Sequence, residues 1–352
     1  MRKGLVCLFL FFAGVGVFFT GCSGSASSEK ESAGELNLFI WTEYMPASVL
    51  DAFERETGIK INMSTYSSNE DLLAKVKSGG DGIYDVVVPS DYMVKMMINE
   101  GLLLELDKTK LNNIENVEQA YLNRYYDLGN KFSIPYMGGV MAIAVNKTKI
   151  ASPIASVSDL FGEEFRRNLV VLDDNRAIIG AVSKSLGYSL NPATDEEFEA
   201  IESKLLELKP NIKLRDSDSP KTAMLNGETA AGLMWSAEIA ICMQESSNFT
   251  VVFPKEGCYV FMDNLTILKT AKNVENAEKF INFVLRPDIS KMISDEYPYL
   301  NPNKAALPLL TDSYKNNPAS NIAPEVFRNG EFVQDAGLKV EKYDELWTKF
   351  TK

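Results

Sequence analysis

An indole, a hydroxyl, a carboxylate and a phenol fall side by side in Trp41-Thr42-Glu43-Tyr44. Aromatic rings present negative π faces to a cation and a carboxylate supplies its counter-charge, so this grouping suits an organic cation. Related chemistry recurs at Ser90-Asp91-Tyr92, Asp174, Trp235 and Phe261-Met262-Asp263. Lysine and arginine are nearly absent from these stretches, Arg176 being the exception. Acids and rings without nearby bases favour a cation over an anion. Two carboxylates separated by rings would gauge the length of a linear diamine. Ring contacts with its methylenes would contribute roughly 0.8 kcal/mol per buried CH₂. A buried carboxylate facing an ammonium is tolerated when the pair is also hydrogen-bonded.

Each residue also has a plainer use. Trp41, Tyr44 and Trp235 suit a hydrophobic core, and Glu43 suits a solvated surface. Asp174 stands just before a helical pattern, where N-capping is the commoner role of Asp. Asp218 reads as a cap for the same reason. Asp263 is harder to dismiss, because it interrupts an otherwise apolar strand. Met93, Met96, Met97, Cys242 and Trp347 read as packing. Gly79-Gly80-Asp81-Gly82 lacks the spacing of a phosphate-binding loop and reads as a turn.

The composition removes several chemistries. Histidine does not occur in the 352 residues, which excludes His-dependent nucleophile systems, His metal ligands and imidazole acid–base catalysis. Paired acids also suit glycoside hydrolysis, but no accompanying set of sugar-binding polar groups is visible. Residues 1–21 read as a signal peptide: Arg2 and Lys3 precede an apolar run, Gly4 to Phe19, that is short for a membrane span. Thr20-Gly21-Cys22 resembles a bacterial lipoprotein cleavage site, which would lipidate Cys22. Residues 22–35, rich in Ser, Glu, Gly and Ala, read as a flexible tether. Without Arg2 and Lys3 the chain carries 34 basic and 48 acidic residues, a net charge of −14, which argues against a nucleic-acid partner. Beyond Cys7 and Cys22, only Cys242 and Cys258 remain, and both are read as free thiols.

Distant stretches of this kind need a scaffold that gathers them. Hydrophobic periodicity predicts alternating strands and helices. Strands are expected at 36–40, 59–66, 84–88, 102–106, 140–146, 169–172, 212–214, 231–234, 250–253 and 259–268. Helices are expected at 47–57, from a capping box at Ser67 to Glu70 as far as Lys77, after Tyr92 as far as Asn99, and at 111–126, 159–166, 178–186 and 195–208. Others follow Ser217 to Pro220 and lie at 276–285, 289–295 and 340–350. The rings and acids then sit just beyond the carboxyl ends of strands, where open α/β sheets bind ligands. About 315 residues follow the tether, more than one core usually serves, so two lobes facing one cleft are expected.

The run from Leu38 to about Phe350 resembles the periplasmic spermidine/putrescine-binding proteins of ABC importers. The matching pieces are Trp41-Thr42-Glu43-Tyr44, Glu56-Thr57-Gly58-Ile59-Lys60, Tyr84-Asp85-Val86-Val87-Val88-Pro89-Ser90 and Ser133-Ile134-Pro135-Tyr136. Asp173-Asp174, Met234-Trp235, Pro254-Lys255-Glu256-Gly257, Met262-Asp263 and Asn329-Gly330-Glu331 continue them in the family's order. The resemblance implies an α/β fold of the two-lobed type II periplasmic-binding-protein kind, closing on a polyamine in the interdomain cleft without catalysis, cofactor or metal. Lobes of 36–139 with 262–307 and of 143–257 with 312–350 are expected, with crossovers near 140–142, 258–261 and 308–311. A membrane permease would be the partner of a monomer anchored outside the cytoplasm through Cys22. The family's aromatic box falls on Trp41, Tyr44, Tyr92, Trp235, Phe261 and Tyr299. Its amine-pairing acids fall on Glu43, Asp174 and Asp263, and its hydroxyls on Thr42, Ser90 and Ser217. Phe261 stands where a well-known member has Trp, Ala177 where a glutamate is expected, and Val333 where a glutamine is expected, with Gln334 beside it. Loss of a carboxylate and an amide implies that the diamine putrescine binds at least as well as the triamine spermidine. Three other readings remain: a same-fold receptor for another organic cation or for an amino acid, whose carboxylate would want Arg176; an extracytoplasmic hydrolase using paired acids; and a purely structural surface lipoprotein.

Overall fold

Two long strands organise the sheet on which the rings and acids are mounted. The computed structural model describes residues 34–79 and 82–352; the expected signal segment, Cys22 and nearly all of the tether lie outside the described residues. In chain order the strands are β1 (Glu35–Trp41), β2 (Lys60–Tyr66), β3 (Val86–Val87), β4 (Ser133–Asn146), β5 (Leu169–Val171), β6 (Ile212–Arg215), β7 (Ala231–Trp235), β8 (Phe249–Val252), β9 (Tyr259–Ile267) and β10 (Glu331–Phe332). They run in the order β2-β1-β3-β9-β4-β7-β5-β6, with β10 on β9 and β8 on β4. β1 pairs in parallel with β2 and β3, and β5 pairs in parallel with β6 and β7. Antiparallel β9 and β4 join the two parallel sets.

Every residue of β4 and β9 is buried. That explains their nearly unbroken apolar sequences, since a strand covered on both faces has no polar side to alternate with. Pro135 lies inside β4 and the register slips between Pro135 and Met137. A proline has no N–H to give the ladder, so the irregularity falls where the sequence forces it. Gly139 pairs with Phe261. A Cβ there would stand 2.9 Å from the Phe261 ring and 2.8 Å from Ser236 Oγ, so the absence of a side chain lets the ring lie against β4.

Helix boundaries follow their local signals. The helix Ala47–Thr57 stops at Gly58, which adopts φ 73° and donates its N–H to Glu54. The helix Asp195–Leu208 begins at a full capping box, Thr194 with Glu197. The helix Asn69–Ser78 is capped by Ser68, whose hydroxyl accepts from Asp71 N–H; the cap is one residue later than the expected Ser67. Met93 and Met97 are buried in the core. Cys242 and Cys258 are free and buried, and burial pushes both thiols up to about 12.

Several expected elements take other forms. Residues 102–106 make only an isolated bridge, Leu103 to Leu268, because they meet just the end of β9. Residues 111–126 form short 3₁₀ turns, Asn112–Asn116 and Gln119–Tyr121, instead of a helix. Asn113 and Asn116 there donate side-chain bonds to the carbonyls of Asn282 and Leu285, so tertiary contacts replace the helical ladder. Residues 159–166 likewise split into two 3₁₀ turns around Gly162. The helix Pro324–Asn329 and the two-residue β10 are too short for periodicity to reveal. No helix of the described residues is long and apolar enough to cross a membrane.

Gly139→Ala is expected to destabilise the protein by about 1–3 kcal/mol, the usual range for overpacking, as measured by urea denaturation. An unchanged midpoint would mean that the Phe261 ring yields freely.

Candidate functional site

Asp263 is the buried anion around which the site is built. It lies in β9, is 3 % exposed, and bridges Ser90 at the end of the β3 segment. Ser90 Oγ donates to Asp263 Oδ1 at 2.5 Å, and Tyr44 Oη donates to Oδ2 at 2.6 Å. The two hydroxyls come from the loops after β1 and β3, so three segments far apart in sequence meet at one carboxylate. Ser90 is itself fixed by Asn69, whose amide donates to Ser90 Oγ and whose carbonyl accepts from Ser90 N–H. Each carboxylate oxygen retains a free lone pair.

One cavity, with about 540 Å³ of space between atoms and part of it open to solvent, collects most of the expected residues. Trp41, Thr42, Glu43, Tyr44, Ser90, Asp174, Ser217, Trp235, Phe261, Asp263 and Tyr299 all line it. Their rings form an edge-to-face chain: Tyr44 to Tyr299 at 5.0 Å, Tyr299 to Phe261 at 6.0 Å, Phe261 to Trp235 at 5.0 Å and Trp235 to Tyr259 at 5.5 Å. Such contacts lock the rings in place, leaving their remaining faces for a guest. Trp41 donates its indole N–H to Val88 O at 2.9 Å, which orients it at the end of β1. Glu43 adopts φ 50°, a left-handed conformation uncommon for a residue with a side chain and often found at functional sites.

Asp174 serves both of its sequence-level roles. It caps the helix Asn175–Ser185, accepting from Ala177 N–H at 2.9 Å, and it lines the cavity. Ser217 Oγ is buried without a hydrogen-bond partner among the described residues, a costly state that a polar guest would relieve. Tyr92 is the exception among the ring positions. It is buried, its hydroxyl donates to Glu70 and the Arg176 guanidinium lies over its ring at 5.4 Å; it does not line the cavity. Gln334 is exposed and also lies outside the lining.

Four lining residues escaped the sequence reading. Asn69 was hidden inside a helix start. Tyr259 lies two residues before Phe261 on the same strand, so period-two alternation points to it. Glu238 sits three residues beyond Trp235, in the first turn of the helix Ser236–Glu245. Asp218 is not the expected cap: the helix Lys221–Leu225 has no side-chain cap, and Asp218 Oδ1 accepts from Ser67 Oγ at 2.7 Å instead. Lysine and arginine are scarce in the strand-end loops themselves, but a lysine from outside them reaches the site's acids. Lys221 Nζ pairs with Glu43 and, at 3.0 Å, with Glu238; its position in a short helix beyond the strand-end loop concealed it.

The acids are electrostatically frustrated. Burial pushes Asp263 up to about 7 although Ser90 and Tyr44 oppose the shift. Burial raises Glu238 to about 7 against the pull of Lys221. Asp174 rises to about 6 through desolvation, with the charge of Glu70 adding to it. Behind the site, burial takes Asp91 to about 7. Within the described residues Asp263 and Asp174 have no ion-pair partner, and desolvated anions in this state attract a cation.

Most of the chain has well-defined relatives. A model of the bacterial extracellular solute-binding protein family matches residues 48–322. The spermidine/putrescine-binding periplasmic protein of Escherichia coli K12 is 38 % identical over 327 residues, 93 % of this chain and 94 % of that one. The putrescine-binding periplasmic protein SpuD of Pseudomonas aeruginosa is 31 % identical, over 93 % of this chain and 95 % of the relative. In three dimensions the spermidine/putrescine ABC transporter substrate-binding protein PotD of Streptococcus pneumoniae superposes with a TM-score of 0.76 at 33 % identity, covering 91 % of this chain and 99 % of the other. The α/β architecture is that of periplasmic solute-binding proteins.

The raised acids set the sign of the pH dependence. A carboxyl ordinarily titrates near 4, so between about pH 4 and 7 the ligand-free folded state holds more protons than the unfolded chain. Stability without ligand is therefore expected to fall as pH rises from 5 to 8. Urea denaturation at the two pH values checks this. A rise would show that these acids already have partners.

Proposed function

The chain belongs to the bacterial extracellular solute-binding proteins, and from that premise we propose that it is the receptor of an ABC importer, capturing a linear polyamine for a membrane permease. The observation that carries this reading is Asp263: a buried carboxylate held by two hydroxyls, without a cation among the described residues and walled by rings. A primary ammonium supplies the missing charge and donates to the free lone pairs of Asp263. The methylenes lie against Tyr299, Phe261 and Trp235, and a second ammonium meets Asp174, while the orphan Ser217 hydroxyl gains a partner. Trp41, Thr42, Glu43, Tyr44 and Ser90 complete the proposed ligand shell; Tyr92 supports it from behind. The spermidine/putrescine-binding and putrescine-binding names of the relatives support the same ligand class. Binding needs no bond to be made or broken, so no catalytic role is assigned.

The amino-acid alternative loses its support. Arg176 would have to meet a ligand carboxylate, but it is buried outside the lining, bonded to Gln334 O at 2.6 Å and stacked 4.4 Å from the Tyr343 ring. We further propose the two-lobed division at 36–139 with 262–307 and 143–257 with 312–350. β4 and β9 would act as the shared connections, and ligand would bias a hinge closure between the lobes. A monomeric receptor lipid-anchored through Cys22, outside the cytoplasm, completes the proposal.

Calorimetric titration with putrescine, spermidine and cadaverine tests it. Binding of at least one amine is expected, with putrescine no weaker than spermidine, and absence of heat with all three would refute the reading. Asp263→Asn is expected to weaken binding by about 2–5 kcal/mol, the range for stripping one partner from a buried charged pair. Because Asp263 must be ionised to pair with an ammonium, affinity is expected to decline as pH falls from 8 to 6, approaching one decade per pH unit for each proton displaced. A pH-independent affinity would remove Asp263 from the ligand.

A further inference from the structure

Lys221 stands just behind the cavity lining, paired with two of its acids, and the polyamine reading leaves it unused. Its side chain is 16 % exposed. Nζ lies 3.0 Å from Glu238 Oε2 and 3.0 Å from Ser219 Oγ, and it also reaches Glu43 Oε2. Both carboxylates line the cavity. Glu43 comes from the loop after β1, whereas Lys221 and Glu238 come from the helices that follow β6 and β7. An ammonium on an alkyl stem thus already stands between two acids, in the manner of a ligand amine. Asp263 and Asp174 have no such cation within the described residues.

We propose that Lys221 is a resident cation that closes the Glu43–Glu238 end of the cavity and so limits ligand length to a diamine. This inference rests on the polyamine reading and adds the residue that sets its specificity. A diamine places its two charges against Asp263 and Asp174. The third ammonium of a triamine, extending toward Glu43 and Glu238, finds their oxygens engaged and a like charge beside them. Removing the Lys221 charge leaves two acids without a cation, one of them buried, and a longer amine can then supply it. A purely structural ion pair would change stability but not the ratio of affinities for two ligands.

The test is calorimetry with putrescine and spermidine on the full mature chain and on Lys221→Gln, Lys221→Arg and Lys221→Gln/Glu238→Gln. Lys221→Gln is expected to shift the affinity ratio toward spermidine by about tenfold, within the range seen for partly buried charge pairs. Lys221→Arg keeps the charge and is expected to keep the parent ratio. The double variant removes the buried acid along with the lysine, which guards against misfolding. It is expected to shift the ratio by about threefold, because the more exposed Glu43 remains. An unchanged ratio in the folded charge-removing variants, with amine binding intact, overturns the proposal and leaves the polyamine reading standing. No binding of either amine by the parent protein overturns that reading and this inference with it.

Discussion

A carboxylate taken out of water must find either a proton or a positive charge, and among the described residues Asp263 meets no cation, so burial moves it toward the proton. Its two hydroxyl donors, Ser90 and Tyr44, soften the desolvation without cancelling it. They also tie β9 to the loops after β1 and β3, so the same interaction that stores the electrostatic demand holds the walls of the site together. Asn69 then fixes Ser90, and Tyr44 is braced by the rings of Tyr136 and Tyr299. The carboxylate and the side chains around it are consequently fixed in place, with little left to rearrange.

The sheet supplies the geometry this demands. β9 and β4 lie antiparallel between two parallel sets. The strand ends that carry Trp41, Ser90, Asp174 and Trp235 therefore converge on residues of β9 itself. Gly139 leaves room for Phe261 against β4. Full burial of both long strands makes their positions expensive to change, which suits a platform that must present rings and acids at set distances.

The charge balance of the cavity is uneven. One acidic pair, Glu43 with Glu238, is met by Lys221 from within the chain, whereas Asp263 and Asp174 are met by no base among the described residues. Arg176, the base that the sequence places nearest, is turned away into a stack with Tyr92 and Tyr343 and a bond to a backbone carbonyl. Among the described residues, positive charge thus meets the acids at one end of the cavity and not at the other.

Much of this was legible from residue order alone. Period-two and period-3.6 patterns located most strands and helices, because they report which face of a segment is buried. The strand-end clusters at Trp41 to Tyr44, at Ser90 and at Phe261 with Asp263 could be picked out by residue type, and the structure brings them to one cavity. The family resemblance added Ser217 and Tyr299, which no local pattern marked. What only the tertiary structure decided was direction and partnership. Tyr92 turns from the cavity, Asp218 pairs with Ser67 rather than capping a helix, residues 111–126 yield their helix to contacts with the helix Val274–Val284, and Lys221 finds Glu43 from 178 residues away. The physical reason is that periodicity encodes burial within a segment. Which charge meets which is settled by packing between segments that the chain order keeps far apart.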